Sequence, residues 1–203
     1  MSNEEWNKVL AKEIAKGLIE TGVEGAYDSV AKSTAFDYPS IGCSQWEGGR
    51  ADDLLAKIPN GEKFIGRSYA DIRDCGELED LKALLRSEEG KEAQLEQLAS
   101  DCLVYVSELQ LVPTLDDTRC LIYAGMWCPT STWVVQSFLT HRSVRCNLRS
   151  LSTLRDIFRD EYYISAGVGR AYKSGYAHRA EATFQYVAGI DLTTPYGVPA
   201  YSE

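Results

Sequence analysis

Glu24 is the residue whose surroundings most suggest chemistry. It lies in Glu24-Gly25-Ala26-Tyr27-Asp28-Ser29-Val30, directly after an amphipathic stretch, and a short polar segment separates it from Ser40-Ile41-Gly42-Cys43-Ser44-Gln45-Trp46. A carboxylic acid that keeps its proton near neutral pH can protonate a leaving oxygen, and a second carboxylate can activate water or stabilise an oxocarbenium ion. Burial beside apolar groups supplies the first of these by disfavouring the charged form. Tyr27, Ile41 and Trp46 are the apolar neighbours that could bury Glu24, and Asp28 and Asp37 are the second carboxylates within reach. Asp37 is the better placed, because its loop must fold back across from the helix that ends before Glu24. Such a pair is what cleavage of an acetal would need, with Glu24 as acid and Asp37 as second carboxylate. The bland alternative is an ordinary surface glutamate near a helix end.

The elements that must hold these residues follow from periodicity and end signals. Ser2 followed by Glu5 has the capping-box pattern, which satisfies free helix-start amides. Trp6, Val9, Leu10, Ile14, Leu18 and Ile19 recur at helical spacing, and Gly22 closes the run. A helix is expected over residues 4–21, with Glu24 just beyond its end. Residues 31–47 read as loop and short strands, punctuated by Pro39, Gly42, Gly48 and Gly49. Further helices are expected at 50–57, 81–87, 90–109, 132–141, 150–158 and 173–187, with another apolar stretch entered from 117–123. Residues 189–203 read as an irregular tail. The fold class is mainly α (α+β), one domain over residues 1–203, with a small β-element near residues 36–46.

Bulk properties narrow the function. The chain has 203 residues, enough for one domain with an extensive core. Its net charge of −9 disfavours nucleic acid as a partner, since phosphate binding uses clustered Lys and Arg. No apolar run approaches the roughly 20 residues that span a bilayer, so no membrane insertion is expected. The first residues hold no continuous apolar stretch of the kind a secretion leader carries, so no signal peptide is expected. The six cysteines are widely spaced, without a Cys-x-x-Cys or zinc-type pairing with His141 or His178. They are expected to be free, buried thiols, with the even count leaving disulfides open after export, and neither a metal nor a cofactor is expected. No Gly-x-Ser-x-Gly elbow is present. A Cys43–His178 peptidase or amidase is the competing enzyme reading. Tyr38, Trp46, Trp127 and Trp133 are candidates for stacking on sugar faces. Arg170, Tyr172, Tyr176, His178 and Arg179 form a basic and aromatic cluster, read as either a ligand-facing wall or a solvated helix face.

One resemblance joins these observations. The series Glu24-Gly25-x-Tyr27-x-Ser29-Val30, Ser40-Ile41-Gly42-x-x-Gln45-Trp46-x-Gly48-x-Arg50 and Leu54-Leu55 resembles a lysozyme-like domain of phage endolysins and bacterial cell-wall hydrolases. Leu84-Leu85-Arg86-Ser87-Glu88-Glu89-Gly90-Lys91-x-x-Gln94, with Asp101 and Tyr105 after it, resembles a second segment of that group, as does Ile122-Tyr123-Ala124. The likeness covers residues 21–124 well and the remainder loosely; residues 1–124 are the best-supported part of the domain. Three places depart from the group's pattern. An Asn-Asp pair is replaced by Ala31-Lys32-Ser33-Thr34-Ala35-Phe36-Asp37, Gln-Trp-His becomes Gln45-Trp46-Glu47, and Gly125 and Met126 stand where an acid is usual.

The resemblance implies a lysozyme-like helical fold and a muramidase-type glycosidase or lytic transglycosylase acting on peptidoglycan. Glu24 would be the general acid, Ser40 would stand where a threonine helps position water, and Gln45 would meet substrate or brace the catalytic loop. Tyr27, Tyr38 and Trp46 would join Gln45 in binding substrate. It further implies a monomeric endolysin made in the host bacterial cytoplasm and acting on the wall after release. A catalytically idle, glycan-binding or virion-structural protein on the same fold is the second class.

Overall fold

The computed structural model describes residues 2–34, 36–168 and 170–192. The protein is mainly α-helical with a small two-stranded sheet. Its contacts divide it into two compact units, residues 1–104 and 105–203.

The first unit opens with α1 (Asn3–Glu20). The Ser2 hydroxyl accepts the Glu5 amide at 3.2 Å, and the Glu5 carboxylate accepts the Ser2 amide at 2.6 Å. Leu10, Ala11, Ile14, Ala15 and Leu18 are buried along one stripe of the helix. Each of the larger three stabilises the fold by about 1.5–3 kcal/mol relative to leaving it exposed. The stop is a Schellman arrangement: Gly22, at φ +69°, donates to Ile19 O at 3.1 Å, and Val23 donates to Leu18 O at 3.0 Å.

A hairpin follows, with β1 (Val30–Lys32) antiparallel to β2 (Pro39–Ile41) and Val30 opposite Ile41. The β-element expected near residues 36–46 contains β2, while its partner strand begins earlier, at Val30. Next come α2 (Gly49–Leu55), a 3-10 turn (Gly61–Phe64), α3 (Tyr69–Asp74) and α4 (Leu78–Leu85). Helix α2 starts one residue before the expected 50–57 and ends two earlier. Helix α4 is offset from the expected 81–87 by three residues at its start. The 3-10 turn and α3 were not expected, being too short to show a period.

The long α5 (Glu88–Leu109) carries the chain across the division between units. Its start is tied to the end of α4. The Ser87 hydroxyl accepts the Gly90 amide at 3.0 Å, and a Cβ built on Gly90 would lie 2.3 Å from Leu84 O. Only glycine fits there, which gives a packing reason for the Leu84-Leu85-x-Ser87-x-x-Gly90 spacing.

The second unit holds the rest of α5, then α6 (Thr118–Gly125), α7 (Thr132–Arg142), α8 (Leu151–Asp160), α9 (Tyr162–Ser165) and α10 (Lys173–Gly189). Asp117, Ser131 and Ser150 cap α6, α7 and α8 through their side-chain oxygens. The unit's core is aromatic: Trp127 stacks on Phe158 with centroids 4.6 Å apart, and Phe138 and Tyr162 pack around them. Most of the tail expected to be irregular lies outside the described residues; α10 runs through Gly189, two residues past the expected end.

Candidate active site

The Schellman turn that ends α1 also positions Glu24. The Glu24 amide shares the Leu18 carbonyl with Val23, at 3.2 Å, so the chain leaves the helix in one direction. The next amide, Gly25, donates to Cys43 O at 2.8 Å and fastens the segment to the turn after β2. The Glu24 side chain is half-buried, and Ser44 donates to its carboxylate at 2.9 Å. The acid is therefore held from the main chain on one side and by a hydroxyl from that turn on the other.

The turn is a four-residue loop, Gly42 to Gln45, closed by paired hydrogen bonds of 2.9 Å between Ile41 and Trp46. Gln45 adopts φ +53°, a left-handed conformation that costs a non-glycine residue about 1–2 kcal/mol. Three contacts hold it there. Its side-chain amide donates to Gly42 O at 3.0 Å, and the Ser40 hydroxyl lies 3.2 Å from both Gln45 O and Oε1. Gly42 itself has φ +74°, and a Cβ there would meet Gln94 Oε1 at 2.6 Å.

Gln94, from the second turn of α5, is fully buried behind this loop. Its oxygen accepts the Cys43 amide at 2.9 Å, and its nitrogen donates to Leu85 O at 2.8 Å. One side chain thus joins the catalytic-loop candidate, α4 and α5. A second brace runs from Trp46, whose indole donates to Asp101 at 3.1 Å, while Asp101 also pairs with Arg50. Sequence reasoning placed Gln94 in a motif without a role and gave Ser44 none. No local pattern announces either contact, because each links residues far apart in sequence.

The remaining candidates fall as follows. Ser40 is buried, with its hydroxyl engaged on Gln45. Trp46 is 5% exposed, so it serves as a wall of the turn and not as the open stacking platform its sequence position suggested. Trp127 is fully buried in the aromatic core of the second unit, which likewise denies it the stacking role. Tyr38 is exposed at the hairpin loop, and Tyr27 is half-buried. Burial pushes the Tyr27 phenol up, with the Cys43 thiol adding to it. Asp37 is exposed and pairs with Lys32 at 3.4 Å, and Asp28 pairs with Arg86 at 3.7 Å.

Cys43 sits in this loop as a buried thiol. Burial, followed by the negative charge of Glu24, pushes it up to about 12. A thiol so shifted carries almost no thiolate at neutral pH, and the thiolate is the nucleophile. Among the described residues no group of three or more His, Cys, Asp or Glu side chains could hold a metal ion. Among them, too, no helix is long and apolar enough to cross a membrane. A cavity of 460 Å³ in the first unit is lined by Arg50, Asp53, Ala56, Lys57, Gln97 and Ser100, apart from the Glu24 loop. Comparison with protein-family models, with curated proteins and with solved structures finds no match.

Proposed function

We propose that the protein is a peptidoglycan glycosidase, cleaving the glycan backbone of the bacterial wall with Glu24 as general acid. The observation that carries this reading is the convergence on Glu24. A half-buried carboxyl at a helix exit is bonded to Ser44 and tied through Gly25 to the Ser40–Trp46 turn. That turn holds a strained Gln45 and is braced by a fully buried Gln94. Backbone strain held in place by surrounding bonds is a feature of functional loops. A scaffold this over-determined fits a carboxyl that must keep its place while a proton moves.

In the proposed reaction Glu24 gives its proton to the bridging oxygen as the C–O bond breaks. The bonding pair leaves with that oxygen, and the sugar cation is stabilised by a second carboxylate, for which Asp37 is the candidate. Water or a neighbouring hydroxyl then adds to the cation, and its proton returns to Glu24. Ser40 and Gln45 belong to the loop against which substrate would lie, with Tyr27 and Tyr38 as the aromatic candidates beside them. The thiol reading is disfavoured by the burial of Cys43.

The test is incubation of purified protein with peptidoglycan and identification of the released ends by mass spectrometry. Glu24→Gln keeps the shape but cannot donate the proton, so release should fall by about 10²–10⁴-fold. The variant should melt with the parent. Release by Glu24→Gln within a few-fold of the parent would remove Glu24 from the mechanism, and no release by the parent would sink the reading itself.

A further inference from the structure

The 460 Å³ cavity of the first unit plays no part in the Glu24 reading. Arg50, Asp53, Ala56 and Lys57 line it from α2 and its exit, and Gln97 and Ser100 line it from α5. Its volume lies within the roughly 300–1,000 Å³ of small-molecule sites. Arg50, Asp53, Lys57 and Ser100 are all exposed, so a ligand can reach them.

The two cations of the lining are held from across the groove. Arg50 pairs with Asp101 of α5, and Lys57 Nζ donates to Gln97 Oε1 at 2.9 Å. Gln97 is 4% exposed and fastens the two walls, since its nitrogen donates to Arg50 O at 2.8 Å. The Lys57 ammonium and the Arg50 guanidinium keep further N–H groups to give. Ser100 adds a hydroxyl that has no partner among the described residues. Asp53 is the opposite charge. Its neighbour Asp52 accepts the Gly66 amide at 2.9 Å and so braces the loop after the 3-10 turn. Asp53 itself has no hydrogen bond or ion pair among the described residues. Yet Arg50 stands three residues before it and Lys57 four after, spacings at which helical charges pair. Asp101 and Gln97 draw both cations away, and neither comes within 4 Å of the Asp53 carboxylate. A solvated helix face would let such neighbours close on one another; here the second helix keeps the charges apart.

We infer that the cavity between α2 and α5 binds a free α-amino acid in its zwitterionic form. The carboxylate meets Lys57 and Arg50, with Ser100 as a further donor, and the ammonium meets Asp53. One small ligand thus bridges charges that the protein holds apart, and the held cations lose little freedom when it binds. The unpaired Asp53 carboxylate opposes a dianion such as phosphate, which brings negative charge and no cation. Ala56 is the one apolar side chain of the lining and a small one, so volume is left for the amino acid's own side chain. None of these lining residues belongs to the Glu24 loop, so binding here and cleavage there succeed or fail separately.

Titration of the full chain with alanine, followed by amide chemical shifts, tests it. The expected result is saturable shifts at Asp53, Lys57, Gln97 and Ser100. Propionate keeps the carboxylate and methyl group of alanine but lacks the ammonium, and should bind about two- to fivefold more weakly. Asp53→Asn should weaken alanine by a similar factor without weakening propionate, which erases the preference. Lys57→Met should weaken both ligands. Asp53 has no partner to lose, so Asp53→Asn should melt within about 2 °C of the parent, and Glu24→Gln should bind alanine as the parent does. Absence of saturable shifts with alanine overturns the inference, as does propionate binding as tightly as alanine, or an alanine affinity that Asp53→Asn leaves unchanged. Inorganic phosphate shifting the same amides at lower concentration than alanine would overturn it too, by marking a plain anion site. Should Lys57→Met fail to fold, Asp53→Asn decides alone.

Discussion

Replacing Gln94 by leucine removes the one side chain that joins three elements behind the Glu24 loop. The volume is nearly kept, so the cavity contribution is small and the loss falls on hydrogen bonding. Two main-chain groups lose their partners: the Cys43 amide, now 2.9 Å from Gln94 Oε1, and the Leu85 carbonyl, now 2.8 Å from Nε2. Gln94 is fully buried, so water cannot replace these bonds without opening the fold. An unsatisfied buried group costs about 1–3 kcal/mol, which gives about 2–6 kcal/mol for the pair. That is a large share of the 5–15 kcal/mol typical of a whole domain. A mid-range loss of about 4 kcal/mol lowers Tm by about 8–16 °C in a chain of this size.

Circular-dichroism melting and urea titration of Gln94→Leu measure it. Gln94→Glu adds a signed control. A protonated carboxyl can both accept from Cys43 and donate to Leu85 O, whereas the carboxylate cannot donate and faces a carbonyl oxygen. The introduced group should thus have its folded pKa raised above the unfolded value of about 4.3. Its stabilising contribution is present below that value and lost as pH rises through the folded pKa. Gln94→Glu should therefore approach the parent's stability in mild acid and fall behind it at neutral pH. A Gln94→Leu protein melting within 2 °C of the parent, about the scatter of neutral surface changes, would show that Gln94 does not hold this loop.

Three further expectations concern the thiols, alkaline stability and the second carboxylate. At neutral pH a thiol reagent should modify exposed Cys75 at once and Cys43 only on unfolding, and Cys43→Ser should keep wall-cleaving activity. Fast labelling of native Cys43 would contradict its burial. Burial also pushes Cys43, Cys128 and Tyr162 up to about 12, so the stability they contribute is present below the ordinary thiol and phenol range and lost as pH rises towards those values. Denaturant midpoints should therefore fall above about pH 9, and a flat profile to pH 11 would refute this. Asp37→Asn should reduce peptidoglycan cleavage strongly and Asp28→Asn little; equal effects, or none from Asp37→Asn, would remove Asp37 as the second carboxylate.

Most long helices were legible because their signals are local. The Ser2–Glu5 box, the Trp6-to-Ile19 period and Gly22 all act within a few residues, and α1 forms within one residue of where they place it. The short α3 and the 3-10 turn carry no period, since pieces of that length are stable only when packed against something else. Single-domain organisation was the simplest reading of an unbroken sequence. The division into two units within α5 is a property of contacts, which no composition shift marks.

The sequence by itself determined the mainly α class, the position of Glu24 just past a helix stop, and the small β-element beside it, because helix caps and turn glycines act on their own neighbours. Tertiary structure decided what surrounds Glu24. Cys43 and Gln94 are 51 residues apart, and Trp46 and Asp101 are 55 apart, so their bonds exist only once α5 packs behind the hairpin. It likewise decided that Trp46 and Trp127 are buried, because an aromatic residue reads alike in a core and on a binding face until its neighbours arrive. The shift of the Cys43 thiol has the same origin: residue type supplies a proton, and the water excluded by the folded chain sets where it is lost.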